Sequence, residues 1–250
     1  MSSKLNWLLQ NTAPGSLILQ SWLSKNGISP ALANKYTHSN WLKKMRAGVY
    51  VRLGRDPQWY DAVFCLQKQL ELPVHLAGLT SMQYQGRSHY LQFKNQTIWL
   101  GMENKTVLPK WFKEFGGINW VLLSNSKLAK CNETFLIDIE IEGAKLKASA
   151  PELAAYEVAG AVPGLISFEH AAELFQGLVN LSPRKVQTLL RTSQSVKTNR
   201  LYLFLANYNT HAWTMLIDKT QINLGAGKRQ IVSGGKLDKE YQITVPNNFN

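Results

Sequence analysis

The stretch from Ser29 to Arg52 reads SPALANKYTHSNWLKKMRAGVYVR. Its first part, through His38, predicts a helix, because serine followed by proline is a common helix start and apolar side chains then recur at helical spacing. The rest predicts two short strands, Asn40–Met45 and Val49–Leu53, joined by a turn at Arg46-Ala47-Gly48. A helix followed by a basic hairpin is the order found in a winged helix-turn-helix.

Two further helices are predicted before this stretch, at Ser3–Gln10 and at about Ser16–Asn26, the second ending at Gly27. In the third helix, Leu32 and Tyr36 are separated by one helical turn and should face the core. The residues that then project outward are Ala31, Asn34, Lys35 and His38. Asparagine, lysine and histidine are side chains that contact base edges or phosphates.

The charge of the chain points to a polyanionic partner for this region. The segment from Met1 to Arg55 contains eight Lys or Arg and no Asp or Glu, within a chain whose formal net charge is +12. The hairpin residues predicted to bind phosphates are Lys43, Lys44, Arg46 and Arg52. Duplex DNA is favoured over RNA, because no aromatic ribonucleoprotein motif and no KH-type glycine loop occurs. A protein-interaction module of three helices and a hairpin remains an alternative.

The rest of the chain predicts a mixture of helices and strands. Helices are expected from Asp56-Pro57 to about Leu70 and at about His75–Gln85, ending at Gly86. Further strands are predicted at Leu91–Phe93, Ile98–Gly101, Trp120–Leu123, Phe135–Glu140, Lys145–Ala148, Gln221–Leu224 and Tyr241–Val245. Further helices are predicted at Pro151–Ala159, Phe168–Leu178, Pro183–Thr192 and Lys197–Asn207. The predicted fold class is α+β, with a winged-helix DNA-binding domain and helical extension in residues 1–94 and a mixed α+β domain in residues 95–250.

No catalytic, metal or cofactor site is predicted. The segment Gly225–Lys228 ends like a phosphate loop but lacks its first glycine and its hydroxyl residue, so it is interpreted as a strand-to-loop junction. Gly15-Ser16 is followed by no carboxylate before Asp56, which argues against a nucleotidyltransferase site. Asp138, Glu140 and Glu142 alternate along a predicted strand; a solvated face is favoured, and a cation site of an unrecognised enzyme is the alternative.

Other features indicate a cytoplasmic protein without special cysteine or histidine chemistry. Cys65 and Cys131 have no metal-ligand spacing, and His75 and His89 are interpreted as structural. Apolar runs such as Leu201–Ala206 are far shorter than the roughly 18 residues that cross a bilayer. A second helix-turn-helix within Phe168–Thr192, with Arg184, Lys185 and Arg191 as its basic residues, remains an alternative.

Several spaced motifs together resemble the AbiEi family of bacterial antitoxins from type IV toxin-antitoxin systems, over nearly the whole length. In the first half they are Tyr36 with Trp41-Leu42, Gly48–Arg52, His75–Gly86 and His89–Leu91. In the second half they are Ser149–Glu152, Leu181–Gln187, Val196–Leu203 and Leu224–Arg229. The sequence departs from the usual family pattern at Ala77 and at Thr198-Asn199, and neither position lies in the predicted DNA-binding helix or hairpin.

The resemblance implies a function in two parts. The N-terminal winged helix would bind inverted repeats in its own promoter and repress the operon. The C-terminal domain would counter a nucleotidyltransferase toxin, without a stable complex between the two proteins. Exposed candidates for this antitoxin function are Lys185, Lys197, Arg200, Lys228 and Arg229. A winged-helix regulator or an interaction adaptor unrelated to any toxin is the alternative.

Overall fold

The structure of the chain is a computed structural model that describes residues 3–86, 96–124, 126–128 and 133–249. Its elements up to residue 84 are α1 (Lys4–Asn11), β1 (Leu17–Leu19), α2 (Gln20–Lys25), α3 (Pro30–His38), β2 (Leu42–Arg46), β3 (Val49–Arg52), α4 (Trp59–Phe64), β4 (Val74–Leu76) and α5 (Gly78–Tyr84). The middle elements are β5 (Gln96–Met102), α6 (Lys110–Lys113), β6 (Ile118–Ser124), β7 (Leu136–Ile141) and β8 (Ala144–Ser149). The last are α7 (Pro151–Ala161), α8 (Phe168–Gln176), α9 (Pro183–Thr192), α10 (Val196–Tyr208), β9 (Arg229–Gln230), β10 (Lys236–Asp238) and β11 (Ile243–Val245).

The chain forms two compact units that interleave along the sequence. The first comprises Met1–Val74, Lys105–Ile118 and Glu140–Leu146, and the second comprises His75–Asn104, Asn119–Ile139 and Lys147–Asn250. The predicted boundary at residue 94 falls outside the described residues, as do the predicted strand Leu91–Phe93, His89 and Cys131. The division into residues 1–94 and 95–250 therefore stays a prediction, whereas the predicted α+β fold class is confirmed.

The first unit is built around a winged helix-turn-helix. Its helices and hairpin share one core, made of Leu8, Ile18, Leu23, Ile28, Ala33, Tyr36, Leu42 and Tyr50. The hairpin strands β2 and β3 form a three-stranded sheet with β1, in the order β1-β3-β2. In this sheet Leu17 is opposite Val51 and Leu19 is opposite Val49. The helix predicted from about Ser16 is therefore wrong at its start, because residues 17–19 pair with the wing as a buried strand. Only Gln20–Lys25 is helical, and Gly27 follows with a φ of 77°.

The edge of β1 that does not pair with β3 is covered by a glutamine side chain. The Gln69 side chain donates to the Leu17 carbonyl and accepts from the Leu19 amide, at 2.7 and 2.8 Å. Gln69 ends a π-helical turn, Cys65–Gln69, that continues α4. The helix predicted from Asp56-Pro57 begins instead at Trp59, because the Asp61 side chain accepts from the Gln58 amide and caps the helix there.

The second unit contains most of a five-stranded sheet, together with helices around one large apolar core. The sheet order is β6-β5-β4-β8-β7, with Leu76 of β4 parallel to Ala148 of β8. Helices α7 and α10 are the most buried, since nearly every side chain from Leu153 to Ala159 and from Thr198 to Ala206 is buried. In the described chain, no helix is long and apolar enough to cross a membrane.

Two predictions for this unit are corrected by the structure, and three short elements of the chain were not predicted. His75 belongs to strand β4, and the helix predicted from His75 begins only at Gly78. Residues 221–224 form no strand. Gln221 ends a short 3₁₀ turn, Lys219–Gln221, and the residues after it form a loop. The short elements α6, β9 and β10 were missed, since such short segments carry too little periodicity to be recognised.

Candidate nucleic-acid interface

Helix α3 presents one polar face to solvent. Ser29 caps its first turn by accepting from the Leu32 amide, and Pro30 occupies the first helical position. Ala33 and Tyr36 are buried in the core, and Leu32 packs against it. The four predicted contact residues Ala31, Asn34, Lys35 and His38 are all exposed.

Local hydrogen bonds order the C-terminal end of this face. The Asn34 carbonyl accepts from Thr37 Oγ1 at 2.7 Å and from His38 Nδ1 at 2.9 Å. A carbonyl oxygen only accepts, so His38 carries a proton on Nδ1 and its Nε2 remains for an external partner. Asn34, Lys35 and His38 thus form a continuous face, because side chains one helical turn apart are neighbours.

The wing is a short hairpin whose two lysines lie on opposite faces. Lys44 is opposite Tyr50, which belongs to the core formed with the helices, whereas Lys43 is opposite Val51. Because directly opposite residues share a face of an antiparallel pair, Lys44 lies on the α3 side and Lys43 on the other. Gly48 closes the turn with a φ of 72°, a conformation that favours glycine.

The two predicted wing arginines already have partners within the first unit. Arg46 Nη1 lies 2.5 Å from Glu114 Oε2, and this hydrogen bond lowers the pKa of the Glu114 carboxyl. Arg52 is half-buried, and its Nη1 donates to the Leu9 carbonyl at 3.0 Å. Arg52 therefore holds the end of α1, a structural role that the charge pattern alone did not reveal.

A partly buried ion pair fixes the segment that follows the wing. Arg55 contacts both carboxylate oxygens of Asp61, and the hydrogen bond from Arg55 to Asp61 raises the pKa of the guanidinium. Arg55 also lies over the ring of Tyr60, 5.3 Å from its centroid. The base of the wing is thereby tied to the start of α4.

Among the antitoxin candidates, Arg200 is not exposed, which corrects the prediction. Only 3% of its surface is accessible, and burial lowers the pKa of its guanidinium. The guanidinium donates to the carbonyls of Leu224, Gly225 and Gly227 at 2.5, 3.0 and 2.6 Å, and to that of Gln242 at 3.2 Å. Arg200 is therefore a positioning residue for the loop of residues 224–228.

That loop faces inward with its carbonyls, unlike a phosphate loop, which offers amides. The segment Gly225–Lys228 leads into β9 and follows no strand, so its interpretation as a strand-to-loop junction was wrong on the strand side. Lys228 is exposed at its end, and Arg229 is half-buried. Lys185 and Lys197 are also half-buried, and Lys197 lines a cavity of about 380 Å³ together with Lys127 and Tyr156.

The other titratable clusters have structural partners. His75 is buried, and its Nε2 lies 2.9 Å from Glu157, whose carboxylate also accepts from the Gly78 amide and the Ser149 hydroxyl. Asp138 pairs with Lys147 at 3.1 Å, and Glu142 lies in a turn beyond β7 rather than on its face. No group of three or more potential metal ligands occurs in the part of the chain that the structure describes.

Comparison with known proteins identifies the family. Residues 1–93 match the family model "Transcriptional regulator, AbiEi antitoxin N-terminal domain", and residues 95–246 match "Transcriptional regulator, AbiEi antitoxin, Type IV TA system". The crystal structure of the RV2827C protein from Mycobacterium tuberculosis is similar, with a TM-score of 0.66 and 14% identity over 96% of this chain and 88% of that chain. This likeness shows a shared fold, and no curated protein matches the chain. Because the two family models cover nearly every residue, the chain belongs to the AbiEi family of transcriptional regulators, the antitoxins of type IV toxin-antitoxin systems.

Proposed function

We propose that this chain represses its own operon by binding inverted repeats in the promoter, and that it counteracts a nucleotidyltransferase toxin in the bacterial cytoplasm. The observation that carries the DNA-binding part is the exposed face of Asn34, Lys35 and His38 beside a basic wing. No acidic residue occurs between Met1 and Arg55, so nothing within that stretch opposes a phosphate backbone.

The dimensions and chemistry of α3 suit the major groove. An α-helix with its side chains is about 10–12 Å in diameter, which fits the major groove of B-DNA, about 12 Å wide. Asparagine pairs with the edge of adenine through two hydrogen bonds, and lysine donates to guanine acceptors or to phosphate. We therefore assign base contacts to Asn34 and Lys35, with His38 and Ala31 at the flanks of the same face.

The wing lysines supply contacts that are independent of sequence. Lys43 and Lys44 extend from opposite faces of β2, so together they reach a wider stretch of backbone than two lysines on one face. An inverted repeat presents two half-sites, and helix-turn-helix proteins bind such half-sites about 34 Å apart, one helical turn. Two copies of the chain on one operator are therefore part of the proposal.

The DNA-binding part is tested by fluorescence anisotropy with the full-length protein, promoter DNA and a scrambled duplex. If roughly five to eight phosphates are neutralised, log affinity should fall against log salt with a slope of about −5 to −7. The promoter should bind at least tenfold more tightly than the scrambled duplex. An affinity that does not change with salt, or equal affinity for both duplexes, would refute this part of the proposal.

The antitoxin part is assigned to the second unit, without a stable complex with the toxin. It is supported by the basic residues Lys185, Lys197, Lys228 and Arg229, which remain at least partly accessible. The two units interleave, so a truncation at residue 94 would remove Lys105–Ile118 and Glu140–Leu146 from the first unit. Point variants of the full chain are therefore the better test.

In that test, the toxin gene is expressed with each variant and growth is measured. Charge-removing variants of the four residues should lose rescue while still repressing a promoter fusion. Wing variants such as Lys44→Gln should lose repression and keep rescue. Loss of both properties in both sets would refute the division of roles, and co-purification of toxin with antitoxin would refute action without a stable complex.

A further inference from the structure

The tip of the wing is joined to a segment that lies far later in the chain, beyond α5 and β5. Glu114, directly after α6, contacts Arg46 at 2.5 Å and Lys110 at 3.6 Å. The side chains nevertheless stay accessible, with 39% of Arg46, 45% of Glu114 and 86% of Lys110 exposed. These residues form an exposed charged cluster within the first unit.

The backbone that carries this cluster is anchored by apolar side chains. Phe112 is fully buried in the middle of α6, Leu108 is 4% exposed, and the rings of Trp111 and Phe112 meet edge to face. Lys110 and Lys113 are both exposed and lie close to one helical turn apart, which places them on neighbouring positions of the helix surface. The lysines therefore project from a fixed support rather than from a loose loop.

The charge of this segment continues that of the wing. Residues 105–115 contain three lysines, Lys105, Lys110 and Lys113, and a single acid, Glu114. Together with Arg46, the cluster of Lys110, Lys113 and Glu114 carries three positive charges and one negative charge. A basic extension beside a basic wing widens the surface that attracts a polyanion.

We propose that α6 is a second DNA-backbone contact beside the wing, in which Lys110 and Lys113 bind phosphates next to those bound by the wing. This inference rests on the proposed function. In the free protein, Glu114 holds Arg46 and Lys110 in place; on DNA, a phosphate replaces the carboxylate as the partner of Arg46.

The exchange follows from the geometry and the charges. Guanidinium groups bind both carboxylates and phosphates, so Arg46 can exchange the contact that its Nη1 makes with Glu114 for a contact with a phosphate. The Glu114 carboxylate would then lie close to the backbone, where its like charge opposes binding. Removing that charge should therefore strengthen binding, although it removes an ion pair from the free protein.

The test uses full-length protein and one promoter duplex, with affinity measured by anisotropy over a series of salt concentrations. The double variant Lys110→Gln/Lys113→Gln should reduce the magnitude of the salt slope by about 1.8, since each lost phosphate contact is worth about 0.9. Lys68→Gln/Lys239→Gln, which removes two exposed lysines elsewhere, should change the slope by less than about 0.5. Glu114→Gln should bind about 3- to 10-fold more tightly at low salt, with the gain disappearing at high salt.

Each outcome decides the proposal. An unchanged slope in the α6 double variant, or a loss equal to that of the control, would overturn it. So would weaker binding by Glu114→Gln at low salt with unchanged thermal stability. The proposed function is judged separately by Lys44→Gln on the same duplex. If that variant lowers affinity while the α6 variant does not, only the α6 contact fails; if neither affects binding, both fail.

Discussion

Arg55 and Asp61 form a two-point ion pair at the base of the wing, with Nη1 2.6 Å from Oδ2 and Nη2 2.8 Å from Oδ1. Asp61 Oδ2 also accepts from the Gln58 amide at 2.8 Å, which caps α4. The Asp61 carboxylate therefore caps the N-terminus of α4 and also binds Arg55, in the segment that follows β3. Only 7% of the Asp61 side chain is exposed, so water replaces neither contact easily.

Replacing Asp61 should destabilise the first unit. Asp61→Ala removes a helix cap and leaves a partly buried guanidinium without its partner, so the free energy of unfolding should fall by about 2–3 kcal/mol. Urea denaturation followed by tryptophan fluorescence measures this. Asp56→Ala, at an exposed position nearby, should cost less than about 0.5 kcal/mol. Equal costs for the two variants would show that the ion pair and cap contribute little.

The α3 face and the wing should differ in how their loss affects specificity. Asn34→Ala or Lys35→Gln should weaken binding to the promoter by about 1–3 kcal/mol and affect a scrambled duplex much less. Lys44→Gln should weaken binding to both duplexes alike and lower the salt slope by about 0.9. Parallel titrations of the two duplexes decide this. A uniform loss in the α3 variants would assign them to phosphates instead.

Much of the winged helix-turn-helix could be predicted from the sequence, because its determinants are local. Ser29 and Pro30 begin α3, Gly48 closes the hairpin turn, and the spacing of Leu32 and Tyr36 sets the exposed face. The strand Leu17–Leu19 could not be predicted, since it depends on pairing with Val49–Val51, which the chain reaches only after two helices and another strand. A short leucine-rich segment before a true helix looks helical until that partner is known.

The partners of charged side chains were the least predictable part. Arg46 pairs with Glu114, which is 68 residues later in the sequence. Arg200 binds loop carbonyls that are 24 to 42 residues later, beyond the end of α10. Hydropathy patterns do not encode such contacts, because lysine and arginine are usually exposed and their burial depends on tertiary partners. Arg200 was therefore predicted to be exposed, although its neighbours on α10 are nearly all buried.

Tyr241 should make the second unit sensitive to alkaline pH. Burial is the main reason that its pKa is raised from 10.0 to about 12, so the folded state favours the neutral phenol. The resulting stabilisation is complete below pH 10 and is lost as the pH rises to 12, because the unfolded chain ionises first. Tyr241→Phe should therefore flatten the fall in unfolding free energy over this pH range by roughly 2 kcal/mol.

The measurement for Tyr241 is urea denaturation of wild type and variant at several pH values. Comparing the two proteins removes the contribution of lysines that titrate in the same range. Tyr208→Phe changes an exposed ring and should leave the wild-type pH dependence in place. The same steepness in Tyr241→Phe as in wild type would contradict the role of this phenol.

Arg200 and Lys228 should affect the antitoxin function for different reasons. Arg200→Met keeps an apolar stem but removes the donors that hold the loop carbonyls, so stability should fall by about 2–4 kcal/mol and rescue from the toxin should weaken with it. Lys228→Gln removes an exposed charge from the same loop and should change stability by less than about 0.5 kcal/mol. Its loss of rescue would then reflect a missing contact rather than a displaced loop. Urea denaturation and growth rescue of both variants separate the two effects. If Arg200→Met keeps full stability but loses rescue, the positioning role of Arg200 is contradicted. Displacing the loop must break the contacts that fix it, and stability would then fall.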